Sequence, residues 1–215
     1  MSSKNVKSPG SKFSSAHFFV ILGLILLSFG LAILVFTFYP VLVEEANYAV
    51  KSSGKTSPVK VNEAIRPVDE AFSIVIPKIN ANSKVIANVD PFDSNIYQRE
   101  LTKGVAHAKG TALPNQPGNS FIFAHSAGNI LEANRYNSVF YLLNKLEPGD
   151  DIYVFFEKVK LRYKVTNKKT VLPSGVSYLS TNISGGRTLT LMTCWPAGTT
   201  LRRLIIEASP VGSLN

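Results

Sequence analysis

TLTLMTCWPAGTTLRRLIIEA, residues 188–208, holds the only cysteine of the chain, Cys194. Leu189 and Leu191 fall on one face of this stretch, and Thr188, Thr190 and Met192 on the other. That two-residue period is the signature of a β-strand. The alternation ends at Cys194, a polar turn follows, and RLIIEA (203–208) returns as a second strand. Similar short runs recur upstream: AFSIVIPKI (71–79), SKVIANV (83–89), NSFIFAHS (119–126), DIYVFFE (151–157) and LRYKVTNKKTVL (161–172). Two short helices interrupt them. One is IYQRELTKG (96–104), closed by Gly104; the other lies in YNSVFYLLNKLEPGD, where Val139, Leu142, Leu143 and Leu146 form one apolar face before Pro148 and Gly149. Many short strands with so little helix favour a closed β-barrel over a parallel α/β sheet.

The chain begins differently. Phe18 to Tyr39 is an uncharged apolar run, long enough as a helix (roughly 33 Å) to cross a hydrocarbon core of about 30 Å. It exceeds the apolar region of a signal peptide and lacks a convincing small-x-small cleavage site, so an uncleaved anchor is expected. Lys4, Lys7 and Lys12 precede it without an acidic residue, and Glu44 and Glu45 follow. The positive-inside bias then puts the N-terminus in the cytoplasm and everything after about residue 40 outside. His17 is read as an interfacial residue. Four parts are expected: a cytoplasmic tail (1–16), a transmembrane anchor (17–39), a Ser-, Lys- and Pro-containing extracytoplasmic linker (40–70) and a catalytic domain (71–210).

The formal net charge is +9, and the part expected outside the membrane carries 20 basic against 14 acidic residues, a moderate excess of +6. Its densest patch, KVKLRYKVTNKK (158–169), reads as the solvated face of an amphipathic strand, with anionic wall polymers or lipid headgroups as the functional alternative. No nucleic-acid motif is present. No Cys/His cluster has metal-ligand spacing, so no metal is expected.

A lone cysteine cannot form an intramolecular disulfide, and outside the membrane an unpaired thiol is chemically exposed. Position alone leaves Cys194 open between a buried small hydrophobe and a nucleophile. A nucleophile needs a base, and of the histidines His125 ends an apolar strand at a small-residue loop, whereas His107 sits in a loop where it can satisfy local backbone groups. For a cation, Arg202 and Arg203 start the returning strand, and only one of them can share the cysteine's face. Arg187 lies seven residues upstream, at the wrong end of the strand.

Together these stretches resemble the sortases, bacterial membrane-anchored cysteine transpeptidases. TLMTC (190–194) fits the family's T-L-x-T-C signature, FIFAH fits the strand that ends in its catalytic histidine, and RLIIEA fits its catalytic-arginine strand. GVAHAKGTALP also resembles a family stretch, whose histidine is not catalytic. The resemblance covers about 71–208. It implies an eight-stranded barrel with Cys194, His125 and Arg203 as catalytic residues, with Arg203 selected over Arg202. Thr193 is a further residue for positioning or the oxyanion.

It also implies cleavage of a C-terminal LPxTG-like sorting motif of secreted proteins through a Cys194 thioacyl intermediate. Transfer follows to an amine of the cell envelope, from a peptidoglycan stem or cross-bridge or a lysine. No cofactor is implied. DPF (90–92) resembles the lid motif of pilus-building members but follows the first barrel strand, so it is read as a turn. No second hydrophobic segment follows the domain, and both points argue against a pilus polymerase. Two rivals use the same residues differently: a tethered cysteine peptidase with water as acceptor, and a non-catalytic barrel with an inert thiol.

Overall fold

A computed structural model describes residues 15–53, 65–125, 139–174 and 186–212. The chain divides into two compact units, Met1–Ala49 and Val50–Asn215. The first contains most of helix α1 (Ser15–Ser53), within which His17–Phe36 has a mean hydropathy of 3.0 and exposes its apolar side chains. That segment fits a membrane anchor. The helix continues past Tyr39 into the segment expected to be linker, since VLVEEANYAV supplies Leu, Glu and Ala and no glycine. Most of the cytoplasmic tail and residues 54–64 of the linker lie outside the described residues.

The second unit is a closed barrel of eight strands: β1 Phe72–Ile76, β2 Ala81–Val89, β3 Val105–Ala108, β4 Gly118–Phe123, β5 Asp151–Phe156, β6 Val159–Val171, β7 Arg187–Trp195 and β8 Arg202–Pro210. Their order around the barrel is β1-β2-β3-β4-β7-β8-β6-β5. β2 and β3 pair in parallel, as do β4 and β7, and the other neighbours are antiparallel. Closure leaves no unpaired sheet edge. Ile74, Ile122, Ile152, Leu189, Leu191 and Ile206 are fully buried in the interior. Each such side chain contributes about 1.5–3 kcal/mol of hydrophobic stabilisation.

Three expectations are corrected. The region read as a loop around His107 contains β3, a strand of four buried residues with the low-propensity sequence VAHA. The helix expected across 139–146 is a short 3-10 turn, Tyr141–Lys145, with residues 136–138 outside the described residues. Phe140, Leu143 and Leu146 are fully buried, but so is most of Tyr141 and Leu142, so the run is a buried apolar knot and not a one-sided stripe. Finally, the strand expected to end at His125 ends at Phe123.

Helix α2 (Ser94–Glu100) forms where expected. Asp93 caps it by accepting from the backbone N–H of Asn95 and Ile96. Before it, Asp90 Oδ1 accepts from Phe92 N–H (3.0 Å), so Asp90–Phe92 is a turn. Gly104 follows the helix because β2 crowds it: a Cβ there would lie 2.3 Å from the Lys84 carbonyl oxygen.

The end of the expected linker is fastened to the barrel. Asn82 on β2 accepts from Val68 N–H (3.1 Å) and donates to the Arg66 carbonyl (2.9 Å), and Lys84 pairs with Asp69 (3.2 Å). The basic stretch of β6 is also accounted for. Arg162 and Lys164 both engage Asp151, Lys168 pairs with Glu147 and Lys169 with Glu207, while Lys160 lies over the Tyr153 ring. Burial alone would raise the Asp151 pKa, but hydrogen bonds from Arg162 and Lys164 hold it below the usual carboxylate value. Locally neutralised cations fit a solvated strand face better than an anion-binding patch.

His107 is fully buried on β3. Nε2 lies 3.0 Å from the Ala112 carbonyl, and a carbonyl can only accept, so Nε2 carries the proton. Thr111 Oγ1, also at 3.0 Å, donates its own hydrogen to the Ala108 carbonyl. Nδ1 accepts from Asn88 N–H at 3.4 Å. Burial holds the His107 pKa below the ordinary value of 6.5, against the smaller raising effect of the bond to Ala112. The unfolded chain therefore binds a proton near and below pH 6.5 that the folded chain refuses. The associated stability is fully present above pH 6.5 and is lost as pH falls toward the depressed folded value. Unfolding free energy should thus drop by up to about 1.4 kcal/mol per pH unit below 6.5. Denaturant titrations at pH 7.5, 6.5 and 5.5 should show that slope, and His107→Gln should flatten it.

Candidate active site

β7 and β8 form the hairpin read from the opening stretch, with a one-to-one register. Cys194 pairs with Arg203 and Trp195 with Arg202. Directly opposed residues share a face of the sheet, so Cys194 and Arg203 lie side by side and Arg202 falls on the other face. Cys194 is half-buried and unpaired. It lies inside β7, one residue before the strand ends, because the polar loop begins only after Trp195.

Arg203 is also half-buried, while Arg202 is exposed. Arg203 Nη1 donates to the carbonyls of Thr200 and Arg202, each at 3.1 Å. Those bonds hold the guanidinium against the β7–β8 loop and leave Nε and Nη2 outside that pair of contacts. Arg187 pairs with Gly118 at the opposite end of β7, as expected.

β4 runs parallel to β7 on the other side, with Phe123 level with Met192. The pairing persists beyond the strand: Ala124 N–H donates to the Met192 carbonyl (3.1 Å) and Thr193 Oγ1 donates to the Ala124 carbonyl (3.0 Å). Continuing that register sets His125, half-buried, level with Cys194. In that register His125, two residues past β4, stands in one row with Cys194 of β7 and Arg203 of β8, on neighbouring segments about 4.8 Å apart. One row further into the sheet lie Phe123, Met192 and Ile205, an apolar floor. Tyr97 of α2 stands edge-on against Phe123, with ring centroids 6.3 Å apart.

Thr193 is buried, on the face opposite Cys194, and its hydrogen is committed to Ala124. It fastens the chain just before His125. The tie is invisible in the sequence, because it depends on the parallel pairing of segments about seventy residues apart. Ser126, Ala127 and Gly128 lie outside the described residues, as do residues 175–185. Among the described residues no cluster of three or more His, Cys, Asp or Glu side chains could hold a metal.

A family model, the sortase domain, matches residues 74–211. Comparison with curated proteins gave no match. Among solved structures, sortase C-1 from Actinomyces oris is 30% identical, with a TM-score of 0.57 over 68% of this chain and 76% of that one. A pilus-related sortase C of Group B Streptococcus is 27% identical, with a TM-score of 0.55 over 68% of this chain and 70% of that one. Sortase A from Corynebacterium diphtheriae is 28% identical, with a TM-score of 0.55 over 71% of this chain and 64% of that one. With the barrel, its strand order and the family model in agreement, the chain belongs to the sortase family and is a sortase-type transpeptidase.

Proposed function

We propose that the protein cleaves an LPxTG-like sorting motif near the C-terminus of secreted proteins and transfers the acyl fragment to an amine of the cell envelope. The Cys194 thiolate attacks the backbone carbonyl carbon of the scissile bond, and its C–O π electrons move to oxygen. Arg203, through N–H donors not used on Thr200 and Arg202, stabilises that oxyanion and holds the substrate backbone. Collapse breaks the C–N bond, and imidazolium His125 gives its proton to the departing amine, leaving a thioester on Cys194. The incoming amine attacks the thioester, loses a proton to His125 and expels the thiolate. Both residues are then restored, and no net redox change occurs.

The observation that carries this reading is the pairing of Cys194 with Arg203 across β7 and β8, with His125 two residues past the end of β4, the strand on the other side of β7. The domain lies outside the cell, with α1 as its anchor and the N-terminus in the cytoplasm, on the strength of the lysines before the span. Incubating the enzyme with a sorting peptide and an added amine, then resolving products by mass, tests the transfer. Amine-bearing product is expected. Free acid alone would make it a hydrolase.

Thr193 serves as a positioning residue for His125. Thr193→Val keeps the shape but removes the bond to Ala124, and kcat is expected to fall roughly 10-fold, about 1.4 kcal/mol. The acidic limb of the kcat/KM profile should shift as His125 loses its fixed place. A purely structural role would lower stability and leave that limb unmoved, and Thr193→Ser should restore both.

A further inference from the structure

We infer that buried His107 is a positioning residue of the active site: through a bulge in β2 it holds helix α2, whose Tyr97 stands at the apolar floor behind the catalytic row. His107 touches no substrate itself. The inference rests on the proposed peptide reading, because binding of that peptide over the floor is what the helix shapes.

The bulge is read from the register. Ile86 pairs with Ala106 and Val89 with Ala108, so Ala87 and Asn88 together oppose His107 alone. Bulges are rare between parallel strands and leave their extra residue outside the one-to-one pairing. That residue is Asn88, whose φ of 57° lies in the left-handed region that asparagine tolerates. Its N–H donates to His107 Nδ1 (3.4 Å), so a side chain of the facing strand bonds the residue that the register leaves out. Beyond the bulge, Lys109 N–H donates to the Val89 carbonyl (2.9 Å).

Of the two bonds of the ring, this one is the harder to replace. The Ala112 carbonyl, which accepts from Nε2, also accepts from Ser120 Oγ (2.7 Å) and stays paired without the histidine. Only Val89 to Phe92 separate Asn88 from Asp93, the cap of α2, and the turn at Asp90 shortens that link. The placement of the bulge is therefore passed to the helix. At the other end of α2, Gly104 lies tight against the Lys84 carbonyl. Between these two points α2 packs on β2 and β3 and sets Tyr97 edge-on against Phe123, level with Met192. Phe123 also pairs with Ala106, the neighbour of His107, so floor and bulge share β3.

Two substitutions part the ring's two bonds. In His107→Asn the amide oxygen stands at the Nδ1 position and keeps the bond from Asn88. In His107→Gln the amide reaches the Nε2 position and Ala112, and no acceptor remains at Nδ1. Transfer of a sorting peptide is measured with the full chain in detergent. His107→Gln is expected to raise KM about fivefold with kcat within about twofold, whereas His107→Asn stays within about twofold of wild type in both. Tyr97→Ala should raise KM by a like factor, and adding His107→Gln to it should raise KM no further, since the histidine acts through the tyrosine. A merely structural role would lower the stability of both histidine variants and move their KM alike. That result, or additive effects in the double variant, overturns the proposal. Should the histidine variants fail to fold, an unchanged KM in Tyr97→Ala overturns it, as does rapid hydrogen exchange of the Asn88 amide in wild type. Absence of transfer by wild type sinks the peptide reading and the positioning role together. Transfer with an unchanged KM in His107→Gln sinks the positioning role alone.

Discussion

Cys194→Ala is expected to abolish transfer of a sorting peptide to an amine, a loss of at least about 10³-fold in kcat/KM. No nearby group can take over. The neighbouring Thr193 hydroxyl is buried on the other face of β7 and committed to the Ala124 carbonyl. Cys194 is half-buried at a strand end, so it should react with iodoacetamide in the native protein, and the alkylated enzyme should be as inactive as the alanine variant. Wild-type enzyme mixed with peptide should gain the mass of the acyl fragment, and Cys194→Ala should not. A thiol that resists alkylation until denaturant is added, combined with unchanged turnover in Cys194→Ala, would make the barrel a non-catalytic module. His125→Ala should be equally silent in turnover.

The hairpin, the barrel class and most strands were legible because alternation is strong where one face is buried, as in Leu189 and Leu191 against Thr188 and Thr190. β3 escaped because VAHA is buried throughout and offers two alanines where branched side chains usually mark a strand. The 3-10 turn escaped for a related reason. FYLL supplies consecutive apolar residues, and a helical stripe can be drawn through any dense apolar run. Cys194 was legible as a residue near a strand end, whereas His125 lies two residues past the end of β4, and what joins the two was not legible. The Thr193–Ala124 bond and the Phe123–Met192 register link segments far apart in sequence. Periodicity reports which face a residue takes on its own strand. It carries no information on which residue of another strand lies beside it.

The arginine pair shows where that limit bites and where the structure resolves it. Alternation requires that only one of Arg202 and Arg203 shares the face of Cys194, and a one-residue bulge in the loop would exchange them. In the observed register Cys194 faces Arg203 and Trp195 faces Arg202. Arg203→Ala is therefore expected to lower kcat/KM by about 10²–10³-fold, the cost of losing an oxyanion donor in a partly desolvated site. Arg202→Ala should stay within about threefold in detergent, since its guanidinium projects from the opposite face. Arg203→Lys should recover little, because an ammonium cannot both hold the Thr200 and Arg202 carbonyls and present a planar pair of donors to the substrate. Side-by-side steady-state kinetics of the three variants decide the matter. If Arg202→Ala is the silent enzyme, the β7–β8 register in solution differs by one residue, and the oxyanion assignment shifts with it.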